Sequence, residues 1–137
     1  MFISRTPGDV WDYTQNYDNR PIWDDTVIKA TVVQTLPNRI VQLKMKGRTI
    51  MTFVYKLDER PLKTTLAMKD ITSPIIDAGG GSWLYEPQNN GTLWTQTNTI
   101  VFKKNILLPL LLPVYKWMFT QQTVKAMKKA KSILEKN

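Results

Sequence analysis

The sequence predicts one α+β domain: a curved antiparallel sheet of about seven strands packed around a long C-terminal helix, with two short helices after the first strand. Three observations predict it. Segments of period-two alternation separated by turn residues fill the stretch from Thr26 to Lys103. The run Gln88-Asn89-Asn90-Gly91 contains Asn-Gly, the strongest short hairpin signal. Tyr115, Met118, Phe119, Thr123, Ala126, Met127, Ala130, Ile133 and Leu134 form a stripe at helical spacing with lysines opposite. At 137 residues, the length favours a single domain over 1–137.

The elements follow in chain order. A very short strand spans Phe2 to Arg5. Thr6-Pro7-Gly8-Asp9 then reads as a helix start, with Thr6 as cap, Pro7 in the first turn and Asp9 at the positive end of the dipole. Asp18 to Trp23 is a second short helix or turn. Strands are expected over Thr26–Leu36, Arg39–Met45, Thr49–Leu57, Leu62–Asp70, Ser82–Glu86 and Thr92–Lys103, and the long helix over Val114–Glu135. Gly79-Gly80-Gly81 leads into a strand and lacks a following Lys-Ser/Thr, so it is not a phosphate loop. It reads as a bend or bulge in a curved sheet, or as a mobile rim.

Composition narrows the chemistry. The chain has no cysteine and no histidine. A disulfide, a Cys nucleophile, a His base and a Cys/His zinc site are excluded, and no Asp/Glu cluster suggests another metal. No cofactor is expected. The net charge is +8, and six lysines fall in the last 22 positions. Such a run is a solvated helix face or an attractor of anionic partners. No basic residues interleaved with exposed aromatics suggest nucleic acid. The opening Met1-Phe2-Ile3-Ser4-Arg5 lacks the pattern of a secretory signal, and Ile106 to Phe119 is shorter than the ~20 apolar residues of a membrane span. A cytoplasmic protein is the expectation.

Pro7-Gly8-Asp9-Val10-Trp11-Asp12-Tyr13, followed by Trp23-Asp24, resembles the opening of the START-like (SRPBCC) superfamily, which includes polyketide cyclase/dehydrase and lipid-transfer proteins. Gly91-Thr92 opening the last long strand, and a proline-led C-terminal helix ending in Leu134-Glu135-Lys136, match the same pattern. The resemblance implies a helix-grip fold with an internal cavity. It does not imply one activity, since lipid carriers, hormone receptors, cyclases and chaperone activators share the fold.

Register then assigns faces. With Asn89-Asn90 as the turn, Tyr85 faces Trp94 and Trp83 faces Gln96, so Trp83, Tyr85, Trp94, Gln96 and Asn98 share one side. Leu84, Thr95, Thr97 and Thr99 share the other, and threonines suit the solvated face. An aromatic wall with two amides is pocket chemistry; plain core packing by aromatics explains the same pattern. Arg48 and Lys56 should face water, which turns Thr49, Met51, Phe53 and Tyr55 inward. A three-residue loop with Gly47 left-handed then keeps Leu43 and Met45 on the inner face. Leu66 and Met68 join that lining, with Trp23 ahead of the sheet and Met118 and Gln122 on the helix.

Two kinds of function fit. One is binding or transport of a hydrophobic small molecule or lipid in the cavity. The other is a cyclase- or dehydratase-like enzyme using Asp70, Asp77, Glu86, Tyr55 or Tyr85 as acid or base. A third role, contact with a membrane surface or a protein, rests on Ile106–Phe119 and the lysines beyond. Within it, Lys104 to Pro113 is expected as a loop or broken helix over one end of the cavity, because Pro109 and Pro113 disfavour a regular helix. It is either a mobile lid or a fixed connector.

Overall fold

The computed structural model describes residues 1–136. Seven strands form one sheet: β1 (Phe2–Ile3), β2 (Val27–Gln34), β3 (Ile40–Met45), β4 (Ile50–Glu59), β5 (Lys63–Thr72), β6 (Ile76–Gln88) and β7 (Gly91–Phe102). Their order is β1-β7-β6-β5-β4-β3-β2, and every neighbouring pair is antiparallel. The helices are α1 (Pro7–Gln15), α2 (Arg20–Trp23) and α3 (Leu108–Glu135), with a 3-10 turn over Tyr17–Asn19 between the first two.

Local chemistry sets the early elements. Thr6 Oγ1 accepts from the Asp9 amide at 3.2 Å, satisfying one free N–H of α1, and Pro7 needs no partner there. Asn16 stops α1 with an extended backbone, and its Oδ1 accepts from Asp18 N to start the 3-10 turn. Pro21 stands in the first turn of α2, which ends at the buried Trp23.

The expected pairings are present. Gln88 faces Gly91, Tyr85 faces Trp94 and Trp83 faces Gln96. Between β3 and β4 the loop is Lys46-Gly47-Arg48, with Gly47 left-handed at φ 81° and Arg48 at φ 65°, and Leu43 faces Met51. Pairing continues from Phe53 to Met68, from Tyr55 through Leu66 to Gly81, and from Thr64 to Trp83. One concave face therefore carries Met51, Phe53, Tyr55, Leu66, Met68, Trp83, Tyr85, Trp94, Gln96 and Asn98.

The structure corrects two boundaries. Strand β6 begins at Ile76, not Ser82, so the three glycines lie inside a strand, all paired with β7 and two of them, Gly80 and Gly81, with β5 as well. A Cβ at Gly79, Gly80 or Gly81 would come within 2.8, 2.7 or 2.5 Å of a neighbouring strand's carbonyl oxygen. Only glycine allows that approach where the sheet is so strongly curved. Helix α3 begins at Leu108, not Val114, so Lys104–Pro113 is neither a loop nor a broken helix throughout. Pro109 occupies the first turn, where an N–H is unpaired in any case. Pro113 deletes one intrahelical bond, to the carbonyl of the exposed Pro109, which water can satisfy.

The core is not centred under the whole sheet. Buried Ala126, Met127 and Ala130, in the C-terminal half of α3, pack with Ile3, Val10, Trp11, Trp23, Trp83, Tyr85 and Trp94. The N-terminal half, through Lys125, buries no residue completely. A second cluster gathers Tyr17, Val27, Val41, Leu43 and Tyr55.

Candidate functional site

The concave face divides into a closed end and an open end. At the closed end Trp23, Trp83 and Trp94 meet edge to face, with ring centroids 5.6–6.1 Å apart. Tyr85 stacks on Trp94 at 6.1 Å, and Trp11 lies 5.0 Å from Tyr85. Tilted contacts of this kind satisfy the ring quadrupoles. The indole N–H groups of Trp23 and Trp94 are buried without a hydrogen-bond partner among the described residues. Trp23, Trp83, Tyr85 and Trp94 are thus packed core, not the accessible wall that their alternation suggests. Parity assigns a side chain to a face; it does not say whether space remains in front of it.

The closed end is held by polar contacts that the sequence reading missed. The Tyr85 hydroxyl accepts from Gln15 Nε2 and shares a hydrogen bond with the Thr14 hydroxyl, both at 2.8 Å. The Arg20 guanidinium lies 4.5 Å from the Trp23 ring and 5.3 Å from the Trp83 ring while paired with Asp24 at 2.9 Å. Arg39 lies 3.9 Å from the Tyr55 ring and bonds Gln15 and Asp58, and Tyr55 shares a hydroxyl contact with Tyr17. Only the i,i+4 spacing of Arg20 and Asp24 signals any of this in the sequence.

Burial raises the Tyr85 and Tyr17 hydroxyls well above the ordinary phenol value, so neither is a base at neutral pH. A raised phenol pKa means the unfolded chain releases its proton first as pH climbs. Stability from these two groups is therefore complete below about pH 10 and declines above it. In an alkaline titration, Tyr17 and Tyr85 are expected to ionise only as the fold is lost. Phenolate absorbance rising for all five tyrosines while the folded circular dichroism persists would contradict this.

At the open end Met51, Phe53, Leu66, Met68 and Gln96 face inward yet stay partly solvent-accessible, and Asn98 is exposed at the margin. Asn98 Nδ2 reaches Gln96 Oε1 at 3.5 Å, which leaves Gln96 Nε2 and Asn98 Oδ1 without protein partners among the described residues. Gly79 and Gly81 face the same way, opposite Ile100 and Asn98, and contribute bare backbone. A Cβ at Gly79 would sit 3.3 Å from Met68 Cε. The glycines therefore keep open the strip of β6 that a side chain would fill. Across from it stands the N-terminal half of α3, with Met118 and Gln122 half-buried; Phe102 stacks on Tyr115 at 5.4 Å and meets Phe119 at 6.0 Å. Beside this contact is a cleft of ≈190 Å³ bounded by Ile75, Lys103, Leu108, Leu111 and Tyr115.

The acid–base candidates do not converge. Asp70, Asp77 and Glu86 are all exposed, and pairing puts Asp70 beside Thr52 and Glu86 beside Leu93, away from the concave face. Tyr55 and Tyr85 remain, both buried and both held by protein hydroxyl partners.

A family model described as polyketide cyclase / dehydrase and lipid transport matches residues 1–135. The chain belongs to that family. Its fold is the helix-grip fold of the START-like superfamily. Among solved structures, the protein TTHA0849 from Thermus thermophilus is similar at 15% identity and TM-score 0.84, over 98% of this chain and 92% of that one. The Zhui aromatase/cyclase from Streptomyces sp. R1128 is similar at 13% identity and TM-score 0.83, over 98% and 90%. A START superfamily protein from Mycobacterium smegmatis gives 8% and 0.76, over 99% and 94%. No curated protein sequence matches the chain. No helix among the described residues is long and apolar enough to cross a membrane.

Proposed function

We propose that this family member binds a hydrophobic small molecule or lipid in the groove between the open end of the concave face and the N-terminal half of α3. The observation that carries the reading is the contrast within one face. Trp23, Trp83, Tyr85 and Trp94 close the interior at one end, whereas Met51 and Met68 remain partly accessible at the other, with Phe53 and Leu66 half-buried between them and the core clusters. Apolar side chains held inside a fold but left wet gain free energy when an apolar ligand covers them. The methionines adapt to varied shapes, and the free groups of Gln96 and Asn98 supply polar contacts at the margin. The family description, which includes lipid transport, supports the same ligand class. A cyclase reading draws on the Zhui likeness, but the carboxylate that pairing places on the concave face, Asp58, is tied up by Arg39 at 3.1 Å.

Native mass spectrometry of protein purified from its host tests the reading directly: an apolar molecule should travel with the chain. Titration with a fluorescent fatty-acid probe tests the residues. Gln96→Leu is expected to change probe affinity by about 5- to 10-fold, the worth of one lost hydrogen bond, with little change in unfolding midpoint. Equal affinity in mutant and wild type would remove Gln96 from the site. No bound molecule and no probe binding would defeat the proposal.

A further inference from the structure

The outer side of α3 carries a surface that the groove does not use. Leu107, Leu110, Val114 and Trp117 follow one another at spacings of three, four and three, which puts them along one side of a helix. All are exposed: Leu110 by 75% and Trp117 by 66%, with Ile106 beside them at 94%. Scattered single apolar residues on a surface are ordinary, but a contiguous stripe ending in tryptophan is not. The opposite side of the same turns, Leu108, Leu111, Tyr115, Met118 and Phe119, faces the protein and is half-buried. The helix start is therefore apolar on both sides, and its own fold covers only one.

Charge identifies what covers the other. Between Glu86 and Glu135 the chain has seven lysines and no acidic residue. Lys103 and Lys104 directly precede the stripe, and Lys116 adjoins Trp117. Among the described residues, neither Lys104 nor Lys116 has a carboxylate partner within 4.0 Å. A second copy brought face to face would set these lysines against their own equivalents, which repel. An anionic bilayer matches both features: its interface takes up Leu, Ile, Val and Trp, and its headgroups take up the lysines.

We propose that Ile106–Trp117 docks the protein on an anionic lipid bilayer, with Ile106, Leu107, Leu110, Val114 and Trp117 entering the interface and Lys104 and Lys116 meeting the headgroups. The helix lies on the membrane and does not span it. The docking proposal stands on its own surface and holds whether or not the groove takes a ligand.

Flotation with vesicles of phosphatidylcholine, with and without phosphatidylglycerol, tests it. The protein is expected to float with the mixed vesicles and, at raised salt or with phosphatidylcholine alone, to float much less. Leu110→Glu and the pair Lys104→Glu with Lys116→Glu should each weaken binding on the order of tenfold or more, while unfolding midpoints stay unchanged because every altered side chain is exposed. Bromine-labelled acyl chains give an independent reading. Trp11, Trp23, Trp83 and Trp94 are buried, so quenching on binding must come from Trp117. No flotation with mixed vesicles, or flotation of the variants equal to wild type, would overturn the proposal. So would a doubled solution mass that Leu110→Glu abolishes, which would assign the stripe to a second copy of the chain.

Discussion

Trp94→Ala is expected to cost about 3–5 kcal/mol, the range for removing a fully enclosed aromatic side chain. Trp94 has no exposed surface and touches Trp23, Trp83 and Tyr85, each of which is itself fixed by other contacts. The cavity therefore cannot collapse easily, and the cost should lie at the upper part of the range. Domains of this size carry about 5–15 kcal/mol in total, so the variant should fold only marginally. Trp94→Phe keeps a ring against Tyr85 and should lose less than half as much. Urea unfolding followed by circular dichroism measures both, with the slope showing whether the native state has stayed compact. Trp117→Ala is the contrast, expected within about 0.5 kcal/mol of wild type because Trp117 is exposed. A loss below about 1 kcal/mol for Trp94→Ala would mean that the aromatic end is not packed as described.

Gly81→Ala is expected to be the second large effect, about 2–3 kcal/mol. The added methyl would lie 2.5 Å from Thr97 O and 2.9 Å from Asn98 Oδ1. The nearer atom is backbone in a paired strand, and β5 holds β6 from the other side through Leu66. Neither strand can yield without breaking ladder bonds. Gly47→Ala separates this clash from backbone conformation: nothing lies within 4 Å there, but φ is +81°. It should cost about 1–2 kcal/mol, from the left-handed backbone alone. If Gly81→Ala is as mild as Gly47→Ala, the close approach at β6 is not what the glycine serves.

These two variants also mark where the sequence was informative. Alternation across Asn89-Asn90 fixed Tyr85 against Trp94 and turned Thr95 and Thr97 outward, because period two and a two-residue turn leave one register. A three-residue loop with Gly47 left-handed resolved the middle hairpin, because only that loop puts Leu43 and Met51 on one face. The start of β6 was illegible because Gly79–Gly81 have no side chains to alternate, although their pairing is regular. The start of α3 was hidden by Pro109, which costs little in the first turn, and by Pro113, whose deleted bond falls on an exposed turn. Within the candidate site, sequence parity placed Met51, Phe53, Leu66 and Met68 beside Trp83 and Trp94. It had no means of separating the accessible members from the enclosed ones, since that depends on how far α3 stands from each strand. Arg20 and Arg39 were missed because a cation over a ring is a contact between distant segments, without a spacing of its own.

The position of β1 governs the order of assembly. Phe2 and Ile3 pair with Leu93 and Thr92, and the Met1 amine bonds Trp94 O at a separation of 93 residues. Ser4, Arg5 and the Phe2 carbonyl then bond Glu135, Leu134 and Lys131. The first five residues act as a clasp that has nothing to grip until the last hairpin and the end of α3 exist. Closing so long a loop costs entropy before any contact repays it, which makes this a slower step than forming the local hairpins. The same clasp sits over Trp94, so the aromatic end closes in the step that ties the beginning of the chain to its final helix.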